Sequence, residues 1–180
     1  MIHRILLAFL AVTALMASSC DLIEDAVPDI AFNVEGSEIN FTLPAQDEAG
    51  TFSVVAADIP SDVKAELDAE DIDDERVKSI GLISIELLIS DANAAVDFGV
   101  IDDVTATLSA PGFADLELAD LTGERLSGDR VQLDVDQVDL TDRLLAESAT
   151  YTVTITTNDS IPAPVELTAR PTFAVVASPL

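Results

Sequence analysis

Apolar side chains return at every second position in one short run after another between Ile30 and Ala177, and this restricts the fold more than any other property of the chain. A repeat of two belongs to a strand with one buried face; a helix needs 3.6. Ile30, Phe32 and Val34 form the first run, and Ile39, Phe41 and Leu43 form the second. Glu35-Gly36-Ser37 between them predicts a hairpin turn. A third strand is predicted over Thr51–Ala57. Val77–Ser90 is the strongest signal: Ile83, Ile85, Leu87 and Ile89 are expected on one face, with Leu82, Ser84, Glu86 and Leu88 on the other.

Val104, Ala106 and Leu108 continue the pattern until Pro111-Gly112, and Leu116 with Leu118 predicts a short strand beyond that turn. Val131, Leu133 and Val135 follow. Tyr151, Val153 and Ile155 then oppose Thr150, Thr152, Thr154 and Thr156, which predicts a strand whose outer face is lined with hydroxyls. The last strand, or pair of strands, falls in Val165–Ala177, where Pro171 must lie at an edge, a bulge or a break.

Only two segments read as helix. Pro60-Ser61-Asp62 starts one, with Ser61 as the cap and Asp62 favourable at the positive end. Val63 and Leu67, four apart, give that helix one packing face through about Glu70. Asp139-Leu140-Thr141-Asp142 starts the other, ending near Glu147 and packing Leu144 or Leu145. Both starts follow a strand, a weak internal echo that capping chemistry alone accounts for. A parallel α/β fold would need a helix after nearly every strand. The expected class is therefore all-β, an antiparallel β-sandwich of about eight or nine strands with two short helical inserts.

The N-terminus reads as an address. Met1–Arg4 carries positive charge, and Ile5–Met16 is an uncharged apolar run. At about 12 residues that run is too short to cross a hydrocarbon core of roughly 30 Å, yet it has the length of a secretory h-region. Ala17-Ser18-Ser19-Cys20 follows, and this segment resembles the lipobox of bacterial lipoproteins, with Ala17 where that family more often has Leu. The resemblance implies acylation of Cys20 after removal of residues 1–19. The expected organisation is a signal peptide over 1–19, an acylated Cys and acidic tether over 20–29, and a single sandwich domain over 30–180. As a whole the chain resembles small bacterial lipoproteins of unknown function that carry one immunoglobulin-like or late-embryogenesis-type β-sandwich. That resemblance implies an exported protein held to a membrane by acyl chains, at the periplasmic face or the cell surface.

Composition then limits the chemistry. There are 34 Asp and Glu against 8 Lys and Arg, a formal charge of −26, and loss of Arg4 with the leader makes it −27. Such a surface repels nucleic acid, so no nucleic-acid partner is expected. The single His and single Cys are His3 and Cys20. After maturation neither a Ser-His-Asp nor a Cys-His nucleophile can be assembled, and zinc sites built on those ligands are absent. No phosphate-cradling glycine motif occurs. The expectation is a non-enzymatic binding, adhesion or structural role, with a protein or glycan as the kind of partner and no cofactor other than calcium to consider.

Calcium takes carboxylate and carbonyl oxygens from loops, and Asp68, Glu70, Asp71, Asp73, Asp74 and Glu75 form the densest acidic cluster. They lack the spacing of an EF-hand. Asp97, Asp102 and Asp103, and Asp134, Asp136 and Asp139, are smaller clusters. A calcium-stabilised adhesion module is the first alternative, and a carboxylate-dependent hydrolase is the alternative from another class. The acidic excess itself matches a surface adapted to high salt, where cations screen the repulsion. Ser160, in Asp159-Ser160-Ile161, resembles a bacterial O-glycosylation site. Asn40-Phe41-Thr42 matches an N-glycosylation triplet but lies within a predicted strand.

Overall fold

The computed structural model describes residues 28–89, 96–122 and 127–179. Cys20, the leader and most of the tether lie outside the described residues. In chain order the elements are β1 (Ile30–Glu35), β2 (Ile39–Leu43), β3 (Thr51–Pro60), α1 (Asp62–Ala69), β4 (Val77–Ile89), β5 (Ile101–Ser109), β6 (Leu116–Thr122), β7 (Arg130–Val135), α2 (Thr141–Leu144), β8 (Ser148–Thr157) and β9 (Val165–Ala177). Short 3-10 turns at Asp74–Arg76 and Phe98–Val100 lead into β4 and β5.

All strand pairs are antiparallel. The first sheet runs β1/β2, β9, β4, β7, and the second runs β6, β5, β8, β3. β7 joins them, pairing Arg130–Leu133 with β4 and Asp134–Val135 with β6. The sandwich is thus closed along one side and open along the other, where β1/β2 and β3 are the two edges. Apart from the β5–β6 hairpin, successive strands from β2 onward switch sheets, giving the β2-β9-β4-β7 and β3-β8-β5-β6 orders of an eight-stranded jelly roll, with β1 as an extension. An immunoglobulin sandwich instead orders its strands A-B-E-D and C-F-G. The predicted all-β sandwich with two helical inserts is present, but its strand order is not the immunoglobulin one.

Both sheets bury their inner faces in one continuous core. β9 keeps perfect alternation, with Val165, Leu167, Ala169, Pro171, Phe173, Val175 and Ala177 all turned inward. β8 does so from Val153 to Thr157. β4 does not. Leu82 pairs with Phe173 and Ser84 with Thr172, so Ile83 is an extra residue in a bulge. Such an insertion flips the parity of everything that follows. Ile80 and Leu82 therefore point inward before the bulge and Ile85, Leu87 and Ile89 after it, leaving Ile83 42% exposed. The expectation that Ile83 shares a face with Ile85, and Leu82 with Leu88, is corrected by this single residue.

The predicted hairpin at Gly36-Ser37 is also corrected. β1 and β2 pair with the same side of β9, one after the other: Glu35 opposite Thr172 and Ile39 opposite Ala169. They are one edge strand interrupted by a bulge at residues 36–38. The cause is Pro171 on β9. Its carbonyl accepts from Gly36 N–H at 2.9 Å. In a strand the N–H and C=O of one residue point the same way, so the donor that proline lacks would have faced this bulge.

Ser61 caps α1 as its sequence position predicts, its hydroxyl accepting from Lys64 N–H at 3.2 Å. The same hydroxyl donates to the Leu144 carbonyl at the end of α2, 2.5 Å away. It is 7% exposed, so one buried oxygen ties both helical inserts together. Asp62 accepts from Ser37 N–H and Ser37 Oγ, both at 2.7 Å, fastening α1 to the β1–β2 bulge. Val63 and Leu67 pack inward as expected. α2 is shorter than predicted, a single turn with Leu140 and Leu144 buried. Ser61→Ala is expected to cost about 1–2 kcal/mol, since it leaves a helix N-terminus and a buried carbonyl unpartnered. Urea unfolding of the variant beside the unsubstituted protein checks this, and an unchanged midpoint would refute it.

Candidate functional site

The acidic cluster singled out in the sequence lies at the end of α1 and around the 3-10 turn before β4. Asp71 adopts a left-handed backbone (φ 58°), which turns the chain sharply between them. Lys64 reaches into this group from α1, its ammonium 2.7 Å from Asp68 Oδ1 and 3.0 Å from Asp74 Oδ1. Those hydrogen bonds raise its pKa above the ordinary lysine value. A protein cation thus stands where a metal would, between two of the candidate ligands. Asp71, Asp73 and Glu75 line the same open recess, with Ile72 as its apolar contribution. Among the described residues, no three His, Cys, Asp or Glu side chains converge as a metal site.

The smaller clusters are separated into local tasks. Asp97 accepts from Gly99 N–H at 2.8 Å, capping the turn before β5, and Asp102 accepts from Asn158 Nδ2 at 2.7 Å. Asp139 accepts from Thr141 N–H at 3.0 Å and Thr141 Oγ1 at 2.5 Å. These bonds hold its carboxyl below the usual range, led by the one from the Thr141 hydroxyl. Thr141 Oγ1 also accepts from Ile80 N–H, so the motif seats α2 on β4. Asp134 lies on β7, directly opposite Asp120 of β6.

Ser160 sits in the turn between β8 and β9, with its N–H 2.7 Å from Asp159 Oδ1 and its hydroxyl 3.3 Å from the same oxygen. Ile161 anchors that turn, fully buried and bridged to Gln46 by two backbone bonds of 2.8 Å. Asn40 lies in β2, as predicted, and its side chain accepts from Thr168 Oγ1.

Two surface features span strands distant in sequence. On the outer face of the first sheet, Arg130 contacts Glu86 at 3.0 Å, and Glu86 lies 3.9 Å from Arg170, which donates to Glu38. This alternating ladder crosses β7, β4, β9 and the β1–β2 bulge. On the outer face of the second sheet, the predicted Thr series of β8 is flanked by Thr51, Ser53 and Val55 of β3 and by Thr105, Thr107 and Ser109 of β5. Thr51 bonds Thr156 and Ser53 bonds Thr154, each at 3.0 Å. Thr51–Ala57, Val104–Ala110 and Ser148–Thr157 contain no charged residue, so the β3–β8–β5 part of this face is uncharged in a chain of −26, bordered on β6 by Glu117 and Asp120 opposite Thr107 and Thr105. On β8 itself, burial pushes the Tyr151 phenol well above its usual pKa.

Sequence reasoning missed Phe113 and Arg143. They meet below the β5–β6 turn, the guanidinium 5.4 Å from the ring centroid, with Nη2 donating to the Ala114 carbonyl at 3.1 Å. No periodicity marks a loop residue against a one-turn helix. Every described basic side chain is engaged: Lys64, Arg130 and Arg170 as above, Lys78 with Asp29, Arg76 with the Ser178 carbonyl, and Arg143 with Ala114.

No family model matches the chain, and no curated protein matches it. Solved structures give distant likenesses. A structure of infectious bursal disease virus, Gt strain, aligns at 15% identity with a TM-score of 0.36, over 83% of this chain and 33% of the viral one. The module CpGH89CBM32-5 from Clostridium perfringens, in complex with GalNAc-β-1,3-galactose, aligns at 11% identity with a TM-score of 0.29, over 66% and 94%. Tobacco necrosis virus aligns at 10% identity with a TM-score of 0.27, over 80% and 97%. This chain spans about a third of the bursal virus chain. Likenesses this remote carry no argument about function.

Proposed function

We propose that this chain is an exported lipoprotein, anchored through acyl chains on Cys20, whose sandwich domain serves a non-enzymatic binding, adhesion or structural role at the cell envelope. The observation that carries the reading is the coincidence of a charged start, a short apolar run and Ala17-Ser18-Ser19-Cys20. Two or three acyl chains, at about 0.8 kcal/mol per buried CH₂, hold a protein to a bilayer durably without a spanning helix. The sandwich begins at Ile30, so roughly ten residues separate it from the anchor. The non-enzymatic part rests on the residue inventory: beyond Cys20 the chain has no His and no Cys.

The acidic surface fits an envelope protein working at high ionic strength. With the described cations each committed to a partner, the described carboxylates still far outnumber them and most are exposed, where salt screens their repulsion. In cells that process lipoproteins, the full chain is expected in the membrane fraction and Cys20→Ala outside it. Fractionation combined with the mass of the N-terminal peptide reads this directly. An unacylated Cys20, or a Cys20→Ala variant that stays membrane-bound, would defeat the anchor.

A further inference from the structure

We propose that the groove between the two strand bulges on the outer face of the first sheet binds a neutral oligosaccharide, which gives the binding role proposed above, on which this rests, a site and a ligand class. The groove holds about 440 Å³, a volume within the range of small-ligand sites. Two irregularities frame it. The β1–β2 interruption supplies Glu35, Gly36 and Glu38 as one wall, and the extra residue of β4, Ile83, precedes Ser84 in its floor. Thr172 of β9 lies between them, paired with Glu35 on one side and with Ser84 on the other.

The polar side chains of the groove are of two kinds. Glu86 and Arg170 are held in place: Arg130 contacts Glu86 at 3.0 Å, Arg170 lies 3.9 Å from the other Glu86 oxygen, and Arg170 Nε donates to Glu38 at 2.9 Å. The side chains of Glu35, Ser84, Gln132 and Thr172, in contrast, have no hydrogen-bond partner among the described residues. On the hydroxyl face of the second sheet, Thr51 and Ser53 instead spend their hydroxyls on Thr156 and Thr154.

Charge and hydrogen-bonding capacity select the occupant. An anion would meet three glutamates in a chain of −26. A cation would find only Glu35 unpaired, because guanidinium groups already hold Glu38 and Glu86. A sugar hydroxyl both donates and accepts, so a ligand with many hydroxyls and no charge can use a fixed carboxylate, a fixed guanidinium and the open amide and hydroxyls together. Ile83, 42% exposed beside Ser84, offers apolar surface to the C–H face of a ring.

The test is an array of immobilised neutral and uronic-acid-bearing oligosaccharides probed with the full chain in a polyoxyethylene detergent, which carries no sugar, followed by calorimetric titration of the bound glycans. Binding is expected to neutral glycans, with a dissociation constant that changes less than about threefold from 0.05 to 1 M NaCl, since no ion pair forms. Ser84→Lys, which fills the floor, and Gln132→Ala, which removes only the amide, are each expected to weaken it at least about tenfold. Thr152→Lys, on the outer face of the other sheet, is expected to leave it within about threefold. No glycan bound, binding confined to the acidic glycans, or binding indifferent to both groove substitutions would overturn the proposal. Acylation of Cys20 is read by mass on the same protein, so an empty groove and a missing anchor are told apart.

Discussion

Phe98→Ala is expected to destabilise the protein by about 3–5 kcal/mol, the range for deleting a fully buried aromatic ring from a core that cannot collapse around the void. Phe98 is 0% exposed although it belongs to no strand. It is held from three sides: Asp97 caps the turn through Gly99 N–H, Phe98 N–H donates to the Gly128 carbonyl at 2.9 Å, and Gly128 adopts the positive φ of 85° that its turn requires. With its backbone so fixed, the segment has little freedom to fill the space. Phe113, 41% exposed in the β5–β6 turn, is the comparison, and Phe113→Ala is expected to cost less than half as much. Urea unfolding of both variants measures the difference. Near-equal losses would mean that the 96–100 segment does not close the core.

Phe98 also illustrates what the sequence conveys. Periodicity marks residues whose inward direction repeats, which is why Val153 and Ile155 of β8 lie on the buried face and the Thr series opposite, as predicted. A side chain brought inward by a turn has no repeat to mark it. β4 failed for a related reason: all its apolar residues were visible, but the extra residue at Ile83 reverses parity midway, and only the partner strand makes it extra. Ser61 was legible because capping is local. Its second bond, to Leu144 some 83 residues on, was not. The candidate site divides in the same way. The acids around Asp71 are plain in the sequence, whereas Lys64 lies between Asp68 and Asp74 because a helical turn and a 3-10 turn converge. The hydroxyls of β8 were foreseen; the neutral face they form with β3 and β5 exists only through pairing.

Gly36→Ala tests the least expected piece of this architecture, the β1–β2 bulge opposite Pro171. A Cβ at position 36 would lie 2.7 Å from Pro171 Cγ, 3.1 Å from the Pro171 carbonyl and 3.3 Å from Phe173 Cε2. The first distance is untenable, and the proline ring that creates it is stiff and buried within β9. The edge strand must therefore retreat, stretching the 2.9 Å bond from Gly36 N–H and disturbing the Ser37 contacts to Asp62. Overpacking of this kind costs about 1–3 kcal/mol. Because the closest approach is to the ring rather than the main chain, Pro171→Ala should relieve much of it. A double-mutant cycle over the two positions is expected to give a coupling of about 1 kcal/mol in the favourable direction. Hydrogen exchange supplies the spatial check: amides of β1 should lose protection in Gly36→Ala while those of β5 and β8 keep theirs, since the ladder partner of β1 is β9. Zero coupling, or loss of protection spread evenly over both sheets, would show that Gly36 is not confined by Pro171, and a turn residue without close contacts would then explain the position as well as the bulge does.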